Sequence, residues 1–170
     1  VTDRFEQTVL SHLDAAYNLA RWLVRSPADA DDVVQESCLR ALRFFGGFRG
    51  GDSRAWLLKI VRNTCYSWVR KNRPAEQSDE FDESLHSPQE SALGAEATMI
   101  SRAEGDRVRR ALEALPIAFR EVIVLREIEG LSYKEISDLT GTPMGTVMSS
   151  LSRARQKLRE ELGARAGKEA

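Results

Sequence analysis

The sequence is poor in the residues that most reaction chemistry and cross-linking need. Only two cysteines and two histidines occur among 170 residues. Cys38 and Cys65 form no CxxC and sit among apolar residues at helical spacing, which reads as core packing, with a redox switch as the other reading. His12 and His86 have no neighbours at ligand spacing, so no metal is expected. No nucleophile–base pair or phosphate loop stands out, so neither catalysis nor a bound cofactor is expected. No run approaches the ~18 apolar residues of a membrane span. The N-terminus has no signal-peptide pattern, and the chain is expected in the cytoplasm without membrane insertion.

Net charge is also lacking, at −1, but the total hides a partition. Residues 1–73 carry 12 Lys and Arg against 8 Asp and Glu, residues 74–106 carry 1 against 9, and residues 107–170 carry 12 against 9. Two mildly basic blocks flank an acidic joint. Neither block has the charge for tight stand-alone binding to nucleic acid, which grows with each phosphate neutralised. A hydrophobic content of 42 % suffices for one or two small cores.

The first block reads as three helices. Leu10, Leu13, Tyr17, Ala20 and Val24 make an apolar seam that ends before Ser26-Pro27. A second helix over about Asp29 to Phe45 turns Val34, Cys38, Ala41 and Phe45 inward, and its acidic first turn complements the helix dipole. Asp32, Gln35, Glu36, Leu39 and Arg43 form the opposite stripe. It reads as a solvated face, or, because Leu39 stands among the charges, as a partner surface. A loop with four glycines around Phe48 and Arg49 follows. Asp52 or Ser53 then caps a third helix reaching about Lys71, with Leu57, Ile60, Val61, Thr64 and Trp68 inward. Opposite them lie Lys59, Arg62, Asn63, Tyr66 and Arg70, basic groups with an interleaved aromatic and amide and no acid, the composition that suits a nucleic-acid backbone and an exposed base.

Residues 74–93 are rich in Glu, Asp and Ser and read as a disordered linker. Helix resumes near Ala95, with Val108, Leu112 and Leu115 periodic up to Pro116. The run Val122-Ile123-Val124-Leu125 has strand composition, but its length and helical context favour a helix from Ile117 to Glu129. Leu162 to Ala170 reads as a fraying tail.

Gly130 to Arg159 organises the second block. Ser132 and Glu135 have the spacing of a capping box over a short helix, with Tyr133, Ile136 and Leu139 buried. Gly141 suits a left-handed turn position. Thr142 then caps a second helix with Pro143 at its first position. On that helix Val147, Leu151, Ala154 and Leu158 face one way, and Thr146, Ser149, Ser152, Arg153 and Gln156 the other. This is a helix-turn-helix with small polar and basic residues outward, fit to enter a major groove; a merely solvated helical hairpin is the alternative. Ser149 and Ser150 permit close approach, and Arg153 reaches a guanine edge or a phosphate.

Three stretches together, DADDVVQESCLRALRFF (29–45), FRGGDSRAWLLKIVRNTCYSWVRK (48–71) and LEALPIAFREVIVLREIEGLSYKEISDLTGTPMGTVMSSLSRARQKLR (112–159), resemble in content and order the bacterial sigma factors of the extracytoplasmic-function group. The resemblance implies an all-α chain of two small helical domains, residues 1–73 and 107–162, joined by a flexible acidic linker (74–106), with the tail at 163–170. It implies that Asp32, Gln35, Glu36, Leu39 and Arg43 bind the clamp of the largest subunit of core RNA polymerase. Phe48, Arg49, Asp52, Ser53, Lys59, Arg62, Asn63, Tyr66 and Arg70 would bind and open the promoter −10 element. Ser132, Lys134, Pro143, Thr146, Ser149, Ser150, Arg153 and Arg155 would read the −35 duplex, with the second domain on the flap of the second-largest subunit. Met148 and Ser150 depart from the many relatives that carry a basic residue there. An anti-sigma factor is an implied partner. A helix-turn-helix regulator would lack the first block, and a sigma-like decoy for an inhibitor would be expected to lose the basic stripe on the third helix.

Overall fold

The computed structural model describes residues 2–74 and 96–169. The acidic stretch expected to be disordered, with Asp79, Glu80, Asp82 and Glu83, lies outside the described residues. Among the described residues, every regular element is helical. The first half comprises α1 (Thr2–Val9), a 3₁₀ turn over Leu10–His12, α2 (Leu13–Val24), α3 (Pro27–Phe44) and α4 (Ser53–Asn72). The second comprises α5 (Glu96–Glu113), α6 (Ile117–Ile123), a π-helical turn over Val124–Ile128, α7 (Tyr133–Thr140) and α8 (Met144–Glu169).

Helix boundaries follow local chemistry. Ser26 accepts from the Asp29 amide with Pro27 in the first turn of α3, and Asp52 accepts from the Ala55 amide to start α4. Ser132 and Glu135 complete a reciprocal capping box on α7, which ends at Gly141 with φ 72°. Thr142 does not act as expected. Its hydroxyl pairs with Thr140 in the turn (2.8 Å), its carbonyl accepts from Ser137 Oγ, and the Pro143 carbonyl takes the first α8 bond, from Val147 N (3.0 Å). The segment after Pro116 is helical rather than extended, α6 running into the π turn. Helix α8 continues through the stretch expected to fray, to Glu169.

The inward faces of the first half differ in phase from the expected ones. The 3₁₀ turn between α1 and α2 rotates the register, burying Val9 and leaving Leu10 57 % exposed. On α3 the buried set is Ala30, Val33, Ser37 and Ala41, with Val34, Cys38 and Phe45 only half-buried. On α4 it is Leu57, Leu58, Val61, Thr64, Cys65 and Val69, and Ile60 and Trp68 lie at the margin. Both cysteines are free, and burial pushes the Cys38 thiol above its ordinary value; Cys65 is raised first by burial and then by the nearby Glu121 carboxylate. These thiols are suited to packing.

Leu19, Leu23, Leu57 and Leu58 in the first half, and Leu115, Leu125, Leu131, Ile136 and Leu151 in the second, are fully buried. Each contributes roughly 1.5–3 kcal/mol by leaving water. The two halves share one contiguous core cluster. They meet where α6 lies on α2 and α7 on α4.

Candidate nucleic-acid interface

The glycine loop between α3 and α4 is held by aromatic packing. Phe48 lies 4.9 Å from Trp56 and 6.0 Å from Phe45, and Phe45 makes an edge contact with Phe5 at 5.3 Å, all between ring centroids. Gly50 and Gly51, with φ near 90°, swing the chain back toward Asp52. Arg49 and Asp52 are exposed at the bend, while Ser53 is half-buried and its hydroxyl meets His12 Nε2 at 2.9 Å. Anchored ends with a free tip give a loop of defined shape.

Along α4, Lys59, Asn63 and Arg70 are exposed on one face. Between them, Arg62 and Tyr66 are partly covered by Glu121 of α6. Arg62 Nε donates to Glu121 Oε1 at 2.7 Å, and the Tyr66 hydroxyl donates to Glu121 Oε2. The Arg62 guanidinium also lies over the Tyr66 ring, 4.0 Å from its centroid. Burial opposes the Arg62 cation, yet the Glu121 carboxylate outweighs it and holds the Arg62 pKa above the ordinary value. The Tyr66 phenol is pushed up by burial first and then by Glu121, so it stays protonated as a donor.

On α8, Val147, Leu151 and Ala154 are buried, while Thr146, Ser149, Ser152, Arg153 and Gln156 are exposed on the opposite side. Ser150 is half-buried. Lys134 and Pro143 are exposed near the turn. A helix with this face has room to seat against base edges, with Arg153 available for a guanine or a phosphate.

On α3, Asp32, Gln35, Glu36 and Arg43 are exposed around Leu39, itself 62 % exposed. Phe44, 58 % exposed, projects from another side of the helix, while Leu42, one turn on from Leu39 and on the same side, stands out at 54 %. This is an apolar patch rimmed by charge, the composition of a protein-docking surface.

Two family models match the chain, Sigma-70 region 2 over residues 8–75 and Sigma-70, region 4 over residues 105–158. The chain is 34 % identical over 161 residues to the ECF RNA polymerase sigma factor SigE of Mycolicibacterium smegmatis, covering 93 % of this chain and 61 % of that protein. It is 35 % identical over 137 residues to the ECF RNA polymerase sigma-E factor of Escherichia coli (strain K12), covering 76 % of this chain and 72 % of that protein. The chain is an extracytoplasmic-function sigma factor.

Two solved structures have the same architecture. RpoE from Bartonella quintana, crystallised with the anti-sigma factor NepR, superposes with a TM-score of 0.72 at 32 % identity, covering 96 % of this chain and 98 % of that one. CnrH, in complex with the cytosolic domain of CnrY, gives 0.69 at 30 % identity, covering 96 % and 90 %.

The structure of this sigma factor brings some expected site residues to the surface and engages others internally. Phe48 packs inward and shapes the loop. Ser132 is occupied by the capping box, accepting from Glu135 N at 3.1 Å. Arg155 turns away from the Thr146–Arg153 face, with Nε 3.1 Å from Glu127 Oε1, and that hydrogen bond holds its pKa up. Leu42, three residues after Leu39, extends the apolar part of the charged stripe, and that spacing is legible in the sequence. Glu121 directly precedes the apolar run Val122-Ile123-Val124-Leu125, and nothing local to it signals a partner on α4. Among the described residues, no cluster of His, Cys, Asp and Glu is arranged to hold a metal, and no helix is long and apolar enough to cross a membrane.

Proposed function

We propose that this sigma factor directs core RNA polymerase to specific promoters and aids strand opening, as a dissociable cytoplasmic subunit with no reaction of its own. The α3 patch of Leu39 and Leu42, rimmed by Asp32, Gln35, Glu36 and Arg43, docks on the clamp of the largest subunit. The loop tip at Arg49 and Asp52 cups a base turned out of the −10 stack, and Lys59, Arg62, Asn63, Tyr66 and Arg70 hold the displaced strand. Unstacking costs a few kcal/mol per step, offset by stacking and pocket contacts on the extruded base. Thr146, Ser149, Ser150 and Arg153 read the −35 duplex, with Lys134 and Pro143 near the phosphates and the second half on the polymerase flap. An anti-sigma factor holds the protein inactive, as the NepR partner of the solved Bartonella quintana RpoE suggests.

The observation that carries this reading is the presence, on one chain, of a basic-aromatic face on α4 and a small polar face on α8. A duplex reader alone has no use for the first. The test is a pull-down with core polymerase, followed by transcription from genomic templates. Leu39→Ala with Leu42→Ala is expected to weaken core binding without loss of fold, and Asn63→Ala with Tyr66→Ala to reduce open complexes while core binding persists. A chain that never directs initiation by sigma-free polymerase refutes the proposal.

A further inference from the structure

The α4 stripe contains no acid of its own, yet in the folded chain it is not free of one. Glu121, on α6 of the other half, is 2 % exposed because its carboxylate is pressed between Arg62 and Tyr66. It occupies the donors that a single strand would use. Arg62 Nε, which would meet a phosphate oxygen, is spent on Oε1 at 2.7 Å. The Tyr66 hydroxyl is spent on Oε2, and the guanidinium drawn in at 4.0 Å covers a ring face on which a base would stack. A second contact of the same kind closes nearby, where Arg54 of α4 meets Glu129 Oε2 at 3.0 Å. We propose that Glu121 is an internal phosphate mimic: it latches the second half over the α4 stripe, so that α6 and single-stranded nucleic acid compete for Arg62 and Tyr66.

The energetics suit a latch. Removing both charges from water offsets much of their mutual attraction, so breaking the Glu121 contact, which rehydrates Glu121 and Arg62 together, itself costs far less than its short length suggests. Whatever engages the α4 face displaces Glu121, and the exposed carboxylate is then repelled by the phosphates it has made way for. By linkage, whatever draws the second half away raises the affinity of α4 for a strand by the same factor. This deepens the single-strand reading of α4 and rests on it.

The test uses the full chain, wild type and Glu121→Ala, with two readouts. Small-angle scattering reports the separation of the halves, and fluorescence polarisation reports binding of a labelled oligothymidine of about 20 nucleotides, without polymerase. The variant is expected to expand and to bind the strand roughly tenfold more tightly, as when a competent fraction of about one tenth rises toward unity. Glu129→Gln, which weakens the neighbouring contact and leaves Glu121 in place, is expected to give a smaller change in the same direction, and it carries the test if Glu121→Ala fails to fold. A variant that folds but stays compact, with unchanged affinity, overturns the latch. One that expands without binding the strand more tightly overturns the masking and the single-strand reading with it, while the contact between the halves stands.

Discussion

The guanidinium of Arg120 joins the two halves of the molecule by donating to the carbonyl of Leu23, ninety-seven residues earlier in the chain, at 3.2 Å. Its other terminal nitrogen donates to the carbonyls of Glu113 and Leu115 at 3.1 and 2.9 Å, and the side chain is fully buried. A cation thus closes the end of α5 and the end of α2 at once. Both are C-terminal helix turns, where carbonyls lack helical partners and a positive charge is favoured.

Arg120→Met keeps much of the volume and leaves those carbonyls without their donor. The expected loss is on the order of 3 kcal/mol, since hydrogen bonds to a charged group are worth more than neutral ones and each buried carbonyl left behind adds a penalty. Urea denaturation measures it. A loss under about 1 kcal/mol would mean water replaces the guanidinium freely.

The two ends of α7 predict two separable effects. Gly141→Ala places a Cβ at φ 72°, where nothing lies within 4 Å, so its cost is backbone strain alone, about 1–2 kcal/mol. Ser132→Ala removes half the capping box and costs about 1 kcal/mol. Thermal melts of the two variants and of the double are expected to be close to additive, because the contacts involved are not shared.

Alkaline pH should unfold the chain selectively. Tyr66 and Cys65 have raised pKa values in the folded state, from ordinary values of 10.0 and 9.0, and both are neutral when protonated. Their contribution is complete below about pH 9 and is lost as pH climbs, since the unfolded chain ionises first. Tyr66→Phe should make the fall above about pH 10 shallower in a titration of stability. An unchanged slope would show that the phenol is not held protonated by burial and Glu121.

Two arginines only two residues apart on α8 should differ in duplex binding. Arg153 is exposed on the reading face, whereas Arg155 is engaged by Glu127. Arg153→Ala is expected to weaken −35 duplex binding by about 1–3 kcal/mol if it meets a guanine, or to reduce the salt slope by about 1 if it meets a phosphate. Arg155→Ala should change duplex binding little and stability by no more than about 1 kcal/mol, as for an exposed ion pair. Binding isotherms across a salt series separate these outcomes.

Much of this protein is set within single helices and is legible there. The Ser26, Asp52 and Ser132 caps, the Gly141 turn, the charge partition and the outward faces of α4 and α8 depend on residues within a turn or two of one another. Three things are not local. The phase of the inward faces is one: Val33-Val34 and Leu57-Leu58 are adjacent apolar pairs that satisfy two helical frames equally, and only the neighbouring helices choose between them. The roles of Glu121 and Arg120 are the second, because a charged residue inside an apolar run looks like an interruption until the partner, fifty-nine residues from Glu121 at Arg62 or farther still at Leu23, is brought against it. The orientation of Arg155 is the third. Short-range spacing determines which side chains share a face; what that face meets is decided by chain closure over distances that leave no periodic trace.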